Sequence, residues 1–199
     1  MCTRINNLKL ISIIGLLVLL IGCTQNEERN VEHKKTSVDS SKCNTSAKTD
    51  NDKFNSHTIR ISGEIEHPLE LTVDSLMKMK VNHIENYMTV CQTGSTDSVV
   101  RTFEGVLLRD ILEKAVLKQA NHKDRAFCFV AKASDNYKAA FSWGEIFNNE
   151  TGNNVYVVFK ENGELIREKG EMKLICVNDL KTGPRHVYWL NEIEVLKVE

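Results

Sequence analysis

From residue 57 onward the chain is a series of short stretches in which apolar and polar positions alternate. "HTIRISGEI" (57 to 65) sets Ile59, Ile61 and Ile65 among polar residues, the pattern of a half-buried strand. "HPLELTVDSLMKM" predicts a short strand opened by Pro68 and a brief helix through Met79, with Thr72 or Asp74 placed to cap it. "HIENYMTV" (83 to 90) is the next strand and runs into Cys91. "VVRTFEGVLLRDILEKAVL" (99 to 117) predicts a strand, a break at Gly105, and a helix whose apolar positions 107, 108, 111, 112, 115 and 116 lie on one stripe. Beyond it, "AFCFVAKA", "KAAFSW", "NVYVVF", "MKLICV", "HVYWL" and "EIEVLKV" are rich in aromatic and β-branched residues, are separated by turn signals such as "ENGE", and are expected mostly as strands. Seven to nine short strands with two or three helices scattered among them fit neither a regularly alternating α/β fold nor a pure sandwich. The expected class is α+β, a strand-rich mixed sheet or barrel-like domain over residues 57 to 199.

The first residues follow another pattern. Arg4 and Lys9 precede an apolar run from Leu10 to Gly22 broken only by Ser12, the layout of an export signal. It is shorter than the ~20 residues of a transmembrane helix. Leu20-Ile21-Gly22-Cys23 resembles a bacterial lipobox, which implies removal of residues 1 to 22, lipidation of Cys23, and an envelope protein anchored in the bilayer and facing periplasm or cell exterior. An uncleaved anchor or an ordinary signal peptide is the alternative. Residues 24 to 56 hold Val31, Val38 and Phe54 as almost their only sizeable apolar side chains, too few to bury a core, so residues 23 to 56 are expected as the lipidated cysteine and a flexible polar tether.

The 199 residues suit one ordinary domain behind this leader. With 26 basic and 27 acidic residues the chain has no field for nucleic acid. Loss of residues 1 to 22 would leave 24 basic and 27 acidic residues, a formal charge of −3.

Candidate chemistry centres on Cys91, where an apolar strand gives way to the polar turn Gln92-Thr93-Gly94. Three readings are open: a metal ligand, half of a disulfide, or a small core thiol. Cys43, Cys128 and Cys176 are possible partners, though Cys128 in "FCFV" and Cys176 in "LICV" read as core strand residues. There is no CxxC or Cys/His cluster to suggest structural zinc. Asp135 and Tyr137 fall in a tight turn, either rimming a pocket or serving as an Asx turn and a packing ring. In "RHVYWL" alternation would put Arg185 and Val187 on one side and His186 and Tyr188 on the other, with Arg185 the stronger candidate anion contact. Trp143 and Trp189 are expected in the core.

Five segments, in order, resemble the molybdopterin-binding domain of the sulfite oxidase type. They are "ISGEIEHPLELTVDSLMKM", "MTVCQTG" with "FEGVLLRDIL", "ASDNYKAAFSWGEI", "VYVVFKENGELIREKGEMKLICV" and "GPRHVYWLNEIEV", together covering about residues 58 to 197. The resemblance implies that fold, with Cys91 as thiolate ligand of molybdenum and Gln92, Thr93, Gly94, Asp135, Tyr137, Lys173, Arg185 and His186 about the pterin cofactor or its phosphate. Tyr188 stands where the family has a lysine, and Asn136 where it has a glycine. The activity implied is oxygen-atom or electron transfer with a small oxyanion or sulfoxide-like substrate and an envelope redox partner. The other expectation is a cofactor-free domain of the same fold that binds a small ligand or an envelope protein.

Overall fold

The structure is a computed structural model that describes residues 51 to 199; the export segment, Cys23, Cys43 and most of the tether lie outside the described residues. The chain divides into Met1–Ser40 and Ser41–Glu199, and every described residue belongs to the second unit.

Two five-stranded sheets build that unit. In the first, β1 (Ile59–Gly63) lies parallel to β10 (Leu190–Lys197), while β2 (Leu69–Leu71), β5 (Phe127–Ala133) and β6 (Lys138–Ser142) pair antiparallel to give the order β2-β1-β10-β5-β6. Every second residue of β5 is buried, so Phe127, Phe129, Ala131 and Ala133 face the core. In the second sheet β3 (Val81–Tyr87) pairs with β4 (Arg101–Leu107), and β4 with β7 (Val155–Glu161). The end of β7 pairs with β8 (Glu164–Leu165) and its beginning with β9 (Lys173–Cys176). The fold is α+β and strand-rich as expected, with two separate sheets rather than a closed barrel. Three short helices complete it: α1 (Val73–Met77), α2 (Leu108–Ala115) and α3 (Trp143–Phe147).

Local chemistry explains several element ends. Thr72, not Asp74, caps α1: its hydroxyl accepts the Ser75 N–H at 3.2 Å, and the Ser75 hydroxyl accepts the Thr72 N–H at 2.6 Å. Trp143, expected at a strand end, instead begins α3, because Ser142 and Glu145 form a second reciprocal cap at 3.2 and 2.8 Å. The "ENGE" turn joins β7 to β8 with Asn162 and Gly163 both at positive φ, the backbone of a tight hairpin.

Three expectations fail here. Gly105 does not break its strand; β4 runs through it with a register shift against β7. A Cβ at this position would lie 2.5 Å from the Val157 carbonyl oxygen, so glycine permits the close approach. Val116 leaves the helical stripe, since it follows α2 at φ 56° and is exposed. "HVYWL" is no strand either: Gly183–Arg185 form a 3-10 turn, Val187 makes an isolated bridge to Leu174, and Trp189 sits at φ 47°.

The main core joins both sheets with Ile111 and Leu112 of α2 and Ile146 of α3. A smaller cluster of Ile84, Tyr87, Phe103, Val158, Ile166 and Ile175 is separate from it. Val157 and Val158, adjacent on β7, contribute to different clusters because successive strand residues face opposite ways. The second sheet is thus apolar on both faces, and its smaller cluster supports the site.

Candidate functional site

A cavity of about 550 Å³ opens where the loop after β3 meets the segment before β10, within the size range of small-molecule sites. Thr182 ties these segments together: its hydroxyl accepts the Val90 N–H at 2.9 Å and donates to the Met88 carbonyl at 2.8 Å. The Gly183 N–H adds a bond to the Val90 carbonyl at 2.9 Å. This clasp holds the turn carrying Cys91, in which the Cys91 N–H bonds Ser95 and the Gly94 N–H, at φ 88°, bonds back to the Cys91 carbonyl, each at 2.8 Å.

The back wall is aromatic. Tyr87 and Phe103 meet His186 edge-on, with centroids 5.7 and 6.4 Å away, and Tyr188 stacks on it at 4.1 Å. His186 is only 5% exposed. Its Nδ1 lies 3.3 Å from the Tyr87 hydroxyl, while its Nε2 has no hydrogen-bond partner among the described residues. A buried polar atom left this way is unusual and points to a missing partner.

Arg101 and Lys169 bring positive charge. Arg101 shares a face of β4 with Phe103 and is held by Asp97, at 2.7 Å, and Glu161, at 3.0 Å. Lys169 rides 4.7 Å above the Tyr188 ring and has no carboxylate within salt-bridge range among the described residues. Lys169 is placed by its loop, in which Lys169 and Gly170 both adopt positive φ and the Lys169 carbonyl accepts the Trp189 N–H at 2.8 Å. Behind Tyr188, buried Lys173 pairs with Glu161 at 2.9 Å. Three cations against two carboxylates leave the site a surplus positive charge. Burial, with Lys173, Arg101 and Lys169 nearby, holds the His186 pKa well below its ordinary 6.5, so the ring is neutral. Burial also raises the Tyr188 and Tyr87 hydroxyls.

Of the residues expected from sequence, Cys91, Gln92, Tyr137 and His186 line the cavity. Tyr137 is fixed by donating to the Pro184 carbonyl at 2.6 Å, and Asp135 makes the Asx turn, accepting the Tyr137 N–H at 3.0 Å. Thr93, Gly94, Asp135, Lys173 and Arg185 do not line it. Arg185 points instead to Asp179 and Glu145, with its Nη2 also 3.7 Å from the Cys176 sulfur, and this pairing raises its pKa. Arg185 is thus taken up by carboxylates away from the cavity, whereas Arg101 and Lys169 line it. Thr89, Asp97, Arg101, Lys169 and Tyr188 line it too, beside Gly183 and Pro184; the first four carried no local signal, since a polar or charged residue at a strand end or in a loop is ordinary. Cys91 is half-buried and disulfide-bonded. Cys128 and Cys176 are free thiols, so neither the Cys128 to Cys176 pairing nor one of them with Cys91 forms. Burial raises the Cys176 thiol to about 12, the behaviour of an inert core cysteine.

The neutral His186 makes stability pH-dependent. Its folded pKa is depressed, so the unfolded chain binds the proton first; the contribution is whole above about pH 6.5 and is lost as pH falls toward the folded value. Between roughly pH 6.5 and 5.5 this amounts to about 1 kcal/mol. Urea unfolding of wild type and His186→Gln is expected to show the steeper loss in wild type; parallel curves would mean that the ring is already solvated.

Against known proteins, the model of the oxidoreductase molybdopterin binding domain matches residues 45–199. The crystal structure of the sulfane dehydrogenase SoxCD from Paracoccus pantotrophus is similar in fold, with a TM-score of 0.55 at 18% sequence identity, covering 75% of this chain and 39% of that one. A comparison with curated protein sequences finds no match. With the family model matching residues 45–199, well over half of the sequence, and a strand-rich α+β fold of two sheets beneath it, the chain belongs to the oxidoreductase molybdopterin binding domain family.

Proposed function

We propose that this domain holds a molybdopterin cofactor in the cavity beside Cys91 and serves oxygen-atom or electron transfer on a small oxyanion or sulfoxide-like substrate. In this reading it is carried as a lipoprotein on Cys23, facing out of a bacterial membrane. The observation that carries the reading is the pairing, in one cavity, of a cysteine at its lip with a deeply buried His186 whose Nε2 lacks a partner. The residues present fit such a group. Reduced Cys91 is a soft ligand suited to molybdenum, Lys169 is a cation without a carboxylate of its own among the described residues, and Arg101 offers N–H groups at the same wall.

Bound there, the cofactor would supply the two-electron redox chemistry. The chain's part is binding and electrostatics. Lys169 and Arg101 attract a phosphate or an anionic substrate, and neutral His186 presents Nε2 without adding charge. Tyr188 and Phe103 exclude water behind them, which strengthens each polar contact. The Thr182 clasp keeps the Cys91 turn in register with the His186 segment.

Full-length protein produced with a cofactor supply and a dithiol reductant is expected to carry molybdenum and pterin in equal amounts, with both lost in Cys91→Ser. Metal-free wild type of unchanged stability would overturn the reading. That result would favour a cofactor-free module binding a small anion, which the ion pairs already made by Arg101 also support.

A further inference from the structure

The charged groups around His186 come from several elements. Strand β3 supplies the Tyr87 hydroxyl, 3.3 Å from Nδ1, and β4 supplies Arg101 on the face it shares with Phe103. Asp97 pairs with Arg101, the ends of β7 and β9 supply the Glu161–Lys173 pair, and Lys169 rides above the Tyr188 ring that stacks on the imidazole. Arg101, Lys169, Asp97 and His186 all line the cavity. The ring itself is 5% exposed, and its Nε2 has no hydrogen-bond partner among the described residues.

With His186 neutral, three cations stand against two carboxylates and leave one positive charge. A singly charged anion cancels it. A doubly charged oxyanion instead overshoots by one negative charge, which is costly where water is largely excluded. One proton on His186 restores balance. The imidazolium also suits the hydrogen bonds, because both ring nitrogens then donate: Nδ1 to the Tyr87 hydroxyl oxygen and Nε2 to an oxygen of the anion.

From this arrangement we infer that Arg101, Lys169 and His186 form a subsite for a doubly charged oxyanion, which binds together with one proton held on His186. The inference rests on the anion-binding part of the reading above and needs neither molybdenum nor the Cys91 thiolate. A free oxyanion and the phosphate of a larger ligand share this chemistry. Without an anion the ring's pKa lies well below 6.5, and the added negative charge raises it. Between the two values each anion brings a proton, so affinity grows as pH falls; below both it is flat.

The test is titration calorimetry on the full chain in detergent, prepared free of sulfate and phosphate, in two buffers of different ionisation enthalpy. Near pH 6, wild type is expected to take up about one proton per inorganic sulfate, with affinity rising by up to about tenfold for each unit of falling pH. Methyl sulfate, which is singly charged, is expected to bind without a proton, and His186→Gln to bind sulfate without one. Methyl phosphate is doubly charged at about pH 7.5. Binding of either dianion there supports the subsite, and the tighter one tells a free oxyanion from the phosphate of a larger ligand. Sulfate bound by wild type with no proton, or with the same uptake in His186→Gln, overturns the inference and leaves the cavity an anion site. No sulfate binding at all overturns it as well, while molybdenum content decides the cofactor reading separately. The comparison of sulfate with methyl sulfate uses wild type alone, so it stays decisive even if His186→Gln folds poorly.

Discussion

Replacing Arg101 with alanine is expected to cost about 3 kcal/mol of folding stability near neutral pH, within the effect of stripping one partner from a largely buried ion pair. The guanidinium side chain is 13% exposed and reaches both Asp97 and Glu161. Its removal leaves Glu161 paired with Lys173 at 2.9 Å but takes from Asp97 the one cation bonded to it among the described residues. That surviving pair keeps the expected loss at the lower end of the range. Arg101 holds the Asp97 pKa below its ordinary value, so this stabilisation is present above the unfolded carboxyl pKa and disappears as pH falls through the folded one. Urea unfolding of wild type and variant should therefore differ most near pH 7 and draw together as pH falls through the folded Asp97 pKa, with Arg101→Lys between them because it keeps charge but loses the two-pronged geometry. A gap of the same size in acid would assign the loss to packing alone.

Phe159→Ala is expected to cost about 3–5 kcal/mol, the usual range for emptying a buried aromatic position. Phe159 is fully buried and lies on β7, the strand that pairs with β4, β8 and β9. Its ring fills the main core, while its neighbour Val158 fills the smaller cluster. A void here would loosen the strand that presents Glu161 to Arg101 and Lys173. Phe159→Leu should lose about 1.5 kcal/mol or less if the core repacks around it. Leu180, 97% exposed, provides the control, because Leu180→Ser should fall within about 0.5 kcal/mol of wild type. If all three variants unfold at the same urea concentration, β7 does not bear the load assigned to it.

Much of the fold was legible because its signals are local. Alternation at Ile59 and Ile61 gave β1, and the stripe through Leu108, Ile111 and Leu112 gave α2. The site was legible only in part. Cys91, Gln92, Tyr137 and His186 were found from their places in family-like segments, whereas Arg101 and Lys169 were not, since neither departs from an ordinary solvated cation until a second segment folds against it. Arg185 does not line the cavity for the same kind of reason: nothing adjacent in the chain announces that Asp179 and Glu145 take up its guanidinium.

By itself, the sequence determined the mixed strand-rich class, the order of most elements and the place of a cysteine that lines the cavity. These follow from side-chain periodicity, cap chemistry and turn residues, each decided within a few positions. Only the tertiary structure decided that "HVYWL" bends rather than extends, that His186 and Tyr188 rather than Arg185 face the cavity, and that Cys91 is bridged. Those outcomes depend on which distant groups desolvate and neutralise one another, and pairing energies of that kind are fixed by contact in space, which no local pattern encodes.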